Sequence, residues 1–253
     1  DHLYLHFFPT RRSSDLGETD NALPYNAIVA LNEHASTLHY QHWERDRPKK
    51  HHAFLIDAGT QFHGYASDVT RTYSGETDEF QALIDALDRE QQAMAAKVKP
   101  GLDYGKLHLE CHEAVARLLK EFAFVDMSPE SMVMERVTST FLPHGLGHLL
   151  GLQTHDVGGF MAGPAGGTLP KPEGHPYLRT TRTLAENFVV TIEPGLYFIA
   201  SLLDKLKTEP QGRHVDWKKV DAFHKFGGIR IEDNVVAKAA GPENLTRDAF
   251  RAA

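Results

Sequence analysis

HAFLIDAGTQFHGYASDVTRTY, residues 52–73, decides the fold. Two runs of alternating apolar residues flank a glycine-containing turn at Gly64, the signature of a β-hairpin. Asp57 and Asp68 stand eleven residues apart on its two arms. That spacing can bring both carboxylates to one face of adjacent strands. Asp57 also interrupts the apolar run Phe54-Leu55-Ile56, where an unpaired carboxylate must protonate or find a cation.

Upstream, NAIVALNEHASTLHY (26–40) alternates until a break at Asn32-Glu33-His34, which predicts two short strands or a strand and a turn. The charged stretch QHWERDRPKKHH (41–52), with Pro48, predicts a loop. Downstream, Phe80, Leu83, Ile84, Leu87, Met94 and Val98 keep helical spacing as far as Pro100-Gly101. Asp103 can cap a second helix, whose apolar face would be Leu107, Cys111, Val115, Leu118, Leu119 and Phe122. Residues 161–182, rich in Gly, Pro and Thr, predict a long surface loop. Strands return in NFVVTIEPGLYFI (187–199) and GIRIEDNVVAK (228–238). Two helices between two strand groups predict an α+β domain with a mostly antiparallel sheet.

Five punctuated segments carry the chemistry: LIDAGT (55–60), SDVTRT (67–72), PHGLGHLLGL (143–152), TIEPGLY (191–197) and GGIRIEDN (227–234). Within them Asp57, Asp68, His148, Glu193 and Glu232 are candidate ligands. Glu193 and Glu232 interrupt apolar runs as Asp57 does. Four carboxylates balance two divalent cations better than one. Oxygen-dominated ligation with one imidazole favours Mn2+, with Co2+, Zn2+ or Fe2+ as alternatives. Two such ions about 3.5–4 Å apart can share a hydroxide and polarise a carbonyl, so the reaction class is metal-assisted hydrolysis. Taken singly, DAG is a common strand-end turn, HGLGH a glycine-rich loop and EPG an ordinary turn. Gly145 follows His144, which excludes the HExxH zinc motif, and the glycines lack dinucleotide-binding spacing.

Together and in this order, the five segments resemble the pita-bread metallopeptidases, the family of methionine aminopeptidases, aminopeptidase P, prolidases and creatinase. LPYNAIVALNEHASTLHY, GLQTHDVGGF, PYLRTTRTL, YFIASLL and FGGIRIEDNVV look nearest to bacterial Xaa-Pro dipeptidases and the related organophosphorus acid anhydrolases. The resemblance spans roughly residues 20–250. It implies a curved, mostly antiparallel sheet with helices on its outer face. It also implies hydrolysis of the bond before a C-terminal proline by a metal-bridging hydroxide. On the matching positions, Asp57 would chelate one ion, His148 and Glu193 the other, and Asp68 and Glu232 would bridge both. Glu193 would also be the general base. His39 and His155 would line the substrate site and stabilise the intermediate or move protons. Arg230 and His144 would bind the substrate carboxylate or shape the pocket, with Tyr25, Tyr104 and Arg179 on the pocket wall. The bland alternatives are His39 as an exposed polar residue of a strand and Arg230 as a surface partner of Asp233. Aminopeptidase P-like or organophosphate-hydrolysing activity, or a silent metal-binding fragment, are the competing expectations.

Composition sets the outer limits. The 253 residues are 41% hydrophobic and 24% charged, which is ordinary for a globular protein, and the net charge of −7 leaves no basic stripe for nucleic acid. No apolar run is long enough for a bilayer. Cys111 is the only cysteine, so an intramolecular disulfide framework is excluded and the cytoplasm is the expected compartment. Residues 1–16, DHLYLHFFPTRRSSDL, lack either period and resemble a translated sequencing adapter, so a non-native tail is expected before a catalytic domain at 17–253. The resemblance further implies a missing N-terminal domain, which in the family supports a homodimer and restricts substrates to dipeptides; metal binding would then survive better than turnover. The histidines at 34, 42, 51, 52, 112, 175, 214 and 224 are expected to be mostly solvent-facing background.

Overall fold

The computed structural model describes residues 23–42, 46, 48–76 and 78–252; the tail expected at 1–16 lies outside them. The chain enters through β1 (Ile28–Leu31) and a 3₁₀ segment (Asn32–Ser36), so residues 26–40 form a strand and a turn. The hairpin of residues 52–73 is present. β2 (Ala53–Ala58) pairs antiparallel with β5 (Val69–Ser74), Asp57 facing Thr70. Between them β3 (Gln61–Phe62) and β4 (Tyr65–Ala66) make a tighter inner hairpin. His63 and Gly64 turn it at φ of 49° and 87°, the double positive φ that suits the twist of a two-residue hairpin. β1 lies antiparallel on the other edge of β2, which makes Asp57 a residue of a central strand.

Two long helices follow. α1 (Glu79–Ala95) is capped by Asp78, which accepts from the Gln81 amide, and α2 (Tyr104–Glu121) by Asp103, which accepts from Lys106. Each such cap satisfies an orphan N–H of the first turn. Phe80, Leu83 and Leu87 of α1 and Leu107, Val115 and Leu119 of α2 are fully buried, in one core with Ile192, Leu196 and Ile229 of the later strands. Burial of each such side chain contributes about 1.5–3 kcal/mol. The helices therefore brace the strands against which they pack.

Short helices α3 (Pro129–Met134) and α4 (Thr138–Phe141) lead into a stretch of about forty-five residues with neither helix nor strand. The remaining strands and α-helices among the described residues are β6 (Val189–Ile192), β7 (Gly195–Tyr197), α5 (Ala200–Thr208), α6 (Trp217–Phe223), β8 (Gly228–Arg230), β9 (Asp233–Val236), β10 (Glu243–Asn244) and α7 (Leu245–Ala252). β6 and β10 flank β9, and β7 pairs with β8, all antiparallel. The two strand groups meet where the Glu232 amide donates to Thr70 O (3.0 Å) and Thr72 Oγ1 exchanges hydrogen bonds with both backbone groups of Arg230. The helices α3 to α7 were not expected. Each is short, and α5 and α6 bury only two apolar residues apiece, too few for a readable period. Among the described residues no helix is long and apolar enough to cross a membrane.

Candidate metal centre

The HGLGH segment is more ordered than a glycine-rich loop. It runs beside β6: Thr191 N donates to His148 O (3.0 Å), Leu150 N to Val189 O (3.0 Å) and Glu193 N to Leu146 O (2.8 Å). Gly147 makes this close approach possible. A Cβ there would sit 2.3 Å from Thr191 O and 2.4 Å from Tyr104 Oη, and its φ is 157°. His148 and Glu193 are thus placed by one strand pairing. Thr191 Oγ1 ties them again, accepting from His148 N (3.0 Å) and lying 3.2 Å from Glu193 Oε1.

Asp57 and Asp68 converge from the hairpin on Tyr25, whose hydroxyl lies 2.8 Å from one carboxylate and 2.5 Å from the other. Asp68 is anchored by Asn234, which accepts from its amide and donates to its carbonyl. Glu232 follows β8, and Thr70 Oγ1 donates to its Oε2 (2.6 Å). Asp68, His148 and Glu232 offer donor atoms within 4.8 Å of one another. His148 Nε2 lies 3.4 Å from Asp68 Oδ2 and 3.5 Å from Glu193 Oε1, beyond ordinary hydrogen-bond lengths. All five candidate ligands reach the same cavity, of about 1120 Å³.

Three observations fit this set to divalent metal. Glu232 Oε1 is buried without a hydrogen-bond partner, an arrangement that is costly unless a cation completes it. His148 holds its Nδ1 against Leu149 O (2.9 Å), so that nitrogen carries a proton and Nε2 is the atom turned to the carboxylates and open to a metal in place of its proton. Among the described residues, four acids also face a single buried arginine or lysine, Arg230. Burial, and then the neighbouring acids, push Glu232 well above the usual carboxylate range; burial pushes Glu193 up to about 7 and raises Asp57 despite Arg230. Burial disfavours charge on His148, yet its contacts with Asp68 and Glu193 outweigh that and raise it. Carboxylates in this condition are short of positive charge.

The surrounding candidates separate into two groups. His39, His155 and Arg179 are exposed on the cavity wall, His39 in a turn and not on a strand. Burial, and then the charge of His148, hold His155 down to about 4. Arg230, expected to bind a substrate carboxylate or shape the pocket, lines the cavity and is not a surface partner of Asp233: it is 4% exposed, with its guanidinium held by protein groups. It donates to Asp57 Oδ2 (2.6 Å), Tyr197 Oη (3.0 Å) and Thr70 Oγ1 (3.3 Å). His144 continues this chain, its Nε2 2.9 Å from Tyr197 Oη and its Nδ1 2.8 Å from Gly145 O. Burial, then Arg230, hold it down to about 3, so Tyr197 donates to a neutral ring. Tyr104, expected on the pocket wall, is absent from it: the side chain is fully buried and its hydroxyl donates to Thr191 O (2.6 Å). Among the background histidines, His112 is buried and not solvent-facing, because it sits on the core side of α2.

Thr70, Thr191, Asn234 and Tyr197 were not anticipated. Thr70 stands two residues after Asp68, and Thr191 two before Glu193, so strand alternation places each threonine on the face of its ligand.

Residues 7–239 match the family described as metallopeptidase family M24, a span that includes part of the segment read above as foreign. The chain is 52% identical over 239 residues to the Xaa-Pro dipeptidase of Xanthomonas axonopodis pv. citri and 51% identical to that of Stenotrophomonas maltophilia. Each alignment covers 94% of this chain and 54% of the relative, so the chain spans about half the length of these curated relatives. Among solved structures it is similar to zinc-substituted Escherichia coli aminopeptidase P in complex with product (TM-score 0.72, 27% identity). It is also similar to the Pseudomonas aeruginosa aminopeptidase PepP (TM-score 0.70, 26% identity). Both comparisons cover 94% of this chain and 47% of the other. By its family match and its fold, the chain belongs to metallopeptidase family M24 and has the pita-bread architecture of that family.

Proposed function

We propose that the protein hydrolyses Xaa-Pro dipeptides, with Asp57, Asp68, His148, Glu193 and Glu232 holding two divalent ions, Mn2+ by preference, and with the cytoplasm as its compartment. The observation that carries this reading is the convergence of those five side chains on one cavity, where Glu232 Oε1 has no hydrogen-bond partner among the described residues. When bound, such ions supply a water activated at neutral pH and a Lewis acid for the scissile carbonyl.

The chain's own groups provide the rest. His148 presents Nε2 because Leu149 O holds its other nitrogen. Glu193, which lines the cavity beside the other proposed ligands, can take a proton from the attacking water and return it. His155, neutral at pH 7 and exposed on the wall, can hydrogen-bond the carbonyl or the leaving nitrogen, with His39 beside the same cavity. Arg179 is an exposed wall cation whose planar guanidinium suits the substrate carboxylate better than the Lys171 ammonium on the same wall. Arg230 acts as a positioning residue, fixing Asp57 while Tyr197 links it to His144.

The identity to dipeptidases favours a dipeptide substrate, whereas the solved neighbours are aminopeptidases P. Assaying the Mn2+-loaded full-length protein with Ala-Pro, an Ala-Pro-containing tripeptide and a phosphotriester decides between them. Preferred cleavage of Ala-Pro supports the proposal, and preferred cleavage of either other substrate overturns it.

A further inference from the structure

We propose that His108, His112 and His175 form a separate metal site, which takes one late first-row divalent ion of the Zn2+, Ni2+ or Cu2+ type. The site lies outside the carboxylate cluster and uses none of its ligands. His108 and His112 are one turn apart on α2, so both rings leave the same face of the helix. His175 approaches from the long segment between α4 and β6. Ring centroids are 4.6–4.8 Å apart in all three pairs, and one nitrogen from each ring lies within 4.8 Å of the others. Two imidazoles at i and i+4 with a third from a distant segment is a common zinc-binding arrangement.

The surroundings suit a ligand role better than simple packing. His108 and His112 are each 1% exposed, an unusual position for two polar rings on the buried side of a helix. His112 Nδ1 is 2.9 Å from Thr138 Oγ1, a contact that fixes the ring and leaves Nε2 for the cluster. A second cavity of about 170 Å³ opens against all three rings, with room for entry and for a water as fourth ligand. Burial, and then the neighbouring imidazoles, hold His108 to about 2 and His112 to about 3, so both rings already have the unprotonated form a metal requires.

Without metal, the Leu146 amide donates to His108 Nδ1 (3.2 Å), which places the proton on Nε2, 2.9 Å from His175 Nδ1. An incoming ion takes the position of that proton. His108 then carries its N–H on Nδ1 and can no longer accept from Leu146, so the cost is one buried backbone N–H that must find another acceptor. Ligand type sets the preference: affinity rises from Mn2+ to Cu2+ at either site, but three imidazoles suit Zn2+, Ni2+ and Cu2+, whereas the carboxylate-rich centre suits Mn2+.

The test separates the two sites. In a D68A/E232Q variant, which removes two of the five proposed ligands of the carboxylate centre, Cu2+ titration followed by electron paramagnetic resonance should show one bound ion with hyperfine coupling to several nitrogens. Adding H175Q, and separately H112Q, should abolish that signal while circular dichroism stays native. In the chain with its carboxylates intact, the same two substitutions should lower bound Zn2+ by one equivalent per chain after equilibrium dialysis. Unchanged Zn2+ content in H175Q, whose partly exposed side chain can be replaced without opening the core, would overturn the proposal, as would a Cu2+ signal lacking nitrogen coupling. Neither outcome depends on peptidase activity.

Discussion

Each ligand of the proposed centre is held by a second residue, and the strongest single dependence is on Thr191. Its hydroxyl touches both the His148 amide and the Glu193 carboxylate. Replacing it with Val keeps the shape and removes both contacts, so T191V should weaken metal binding by about 10–100-fold with little change in fold. Isothermal titration with Mn2+ measures this. At Arg230, Lys cannot reproduce three directed N–H contacts; R230K should lower kcat by about 10-fold or more by loosening Asp57, and a steady-state assay would detect it. The ligands were legible in the sequence because each acid interrupts an apolar run or opens a strand. Their braces were not. Thr70, Thr191 and Tyr197 are ordinary strand residues, and only their spacing of two or four from a ligand marks them. Arg230 was legible as a cavity residue, yet its partners were not: its contacts with Asp57, Tyr197 and Thr70 depend on packing across strands that sequence spacing does not encode.

Among the elements, the segment carrying His148 is the least tolerant of change. It runs beside β6 only because residue 147 has no side chain. G147A should therefore destabilise the fold by about 3 kcal/mol or more, since a methyl there meets backbone and the Tyr104 hydroxyl at under 2.5 Å. Y104F, which loses only the bond to Thr191 O, should cost about 1–2 kcal/mol. Urea unfolding of the two variants gives the comparison, and equal costs would contradict this account of Gly147. The hairpin and α1 and α2 were readable because their periods persist over many residues and each helix begins at an Asp cap. The later helices were hidden by their brevity. The pairing of 146–150 with β6 was hidden because glycine-rich sequence signals a loop whatever it lies beside.

For the whole molecule, pH acts through the buried imidazoles. Unfolded, His108 and His112 titrate near 6.5; folded, burial and their neighbours hold them to about 2 and about 3. Below pH 6.5 the unfolded chain binds protons that the folded chain refuses, so their contribution to stability is complete above 6.5 and is lost as the pH falls. At pH 5 the loss is about 2 kcal/mol for each ring. Denaturation of metal-depleted protein at pH 7.5 and pH 5 should show it, with the difference smaller by about 2 kcal/mol in H112Q; an identical pH dependence in H112Q would refute the assignment. The central claim concerns ligands drawn from residues 57 to 232, brought together where β5 meets the turn between β8 and β9. Anomalous X-ray scattering from crystals of the Mn2+-loaded protein tests it most directly. Two peaks are expected, bounded by the side chains of Asp57, Asp68, His148, Glu193 and Glu232; no peak among these residues, or Mn2+ bound only elsewhere, would contradict the account.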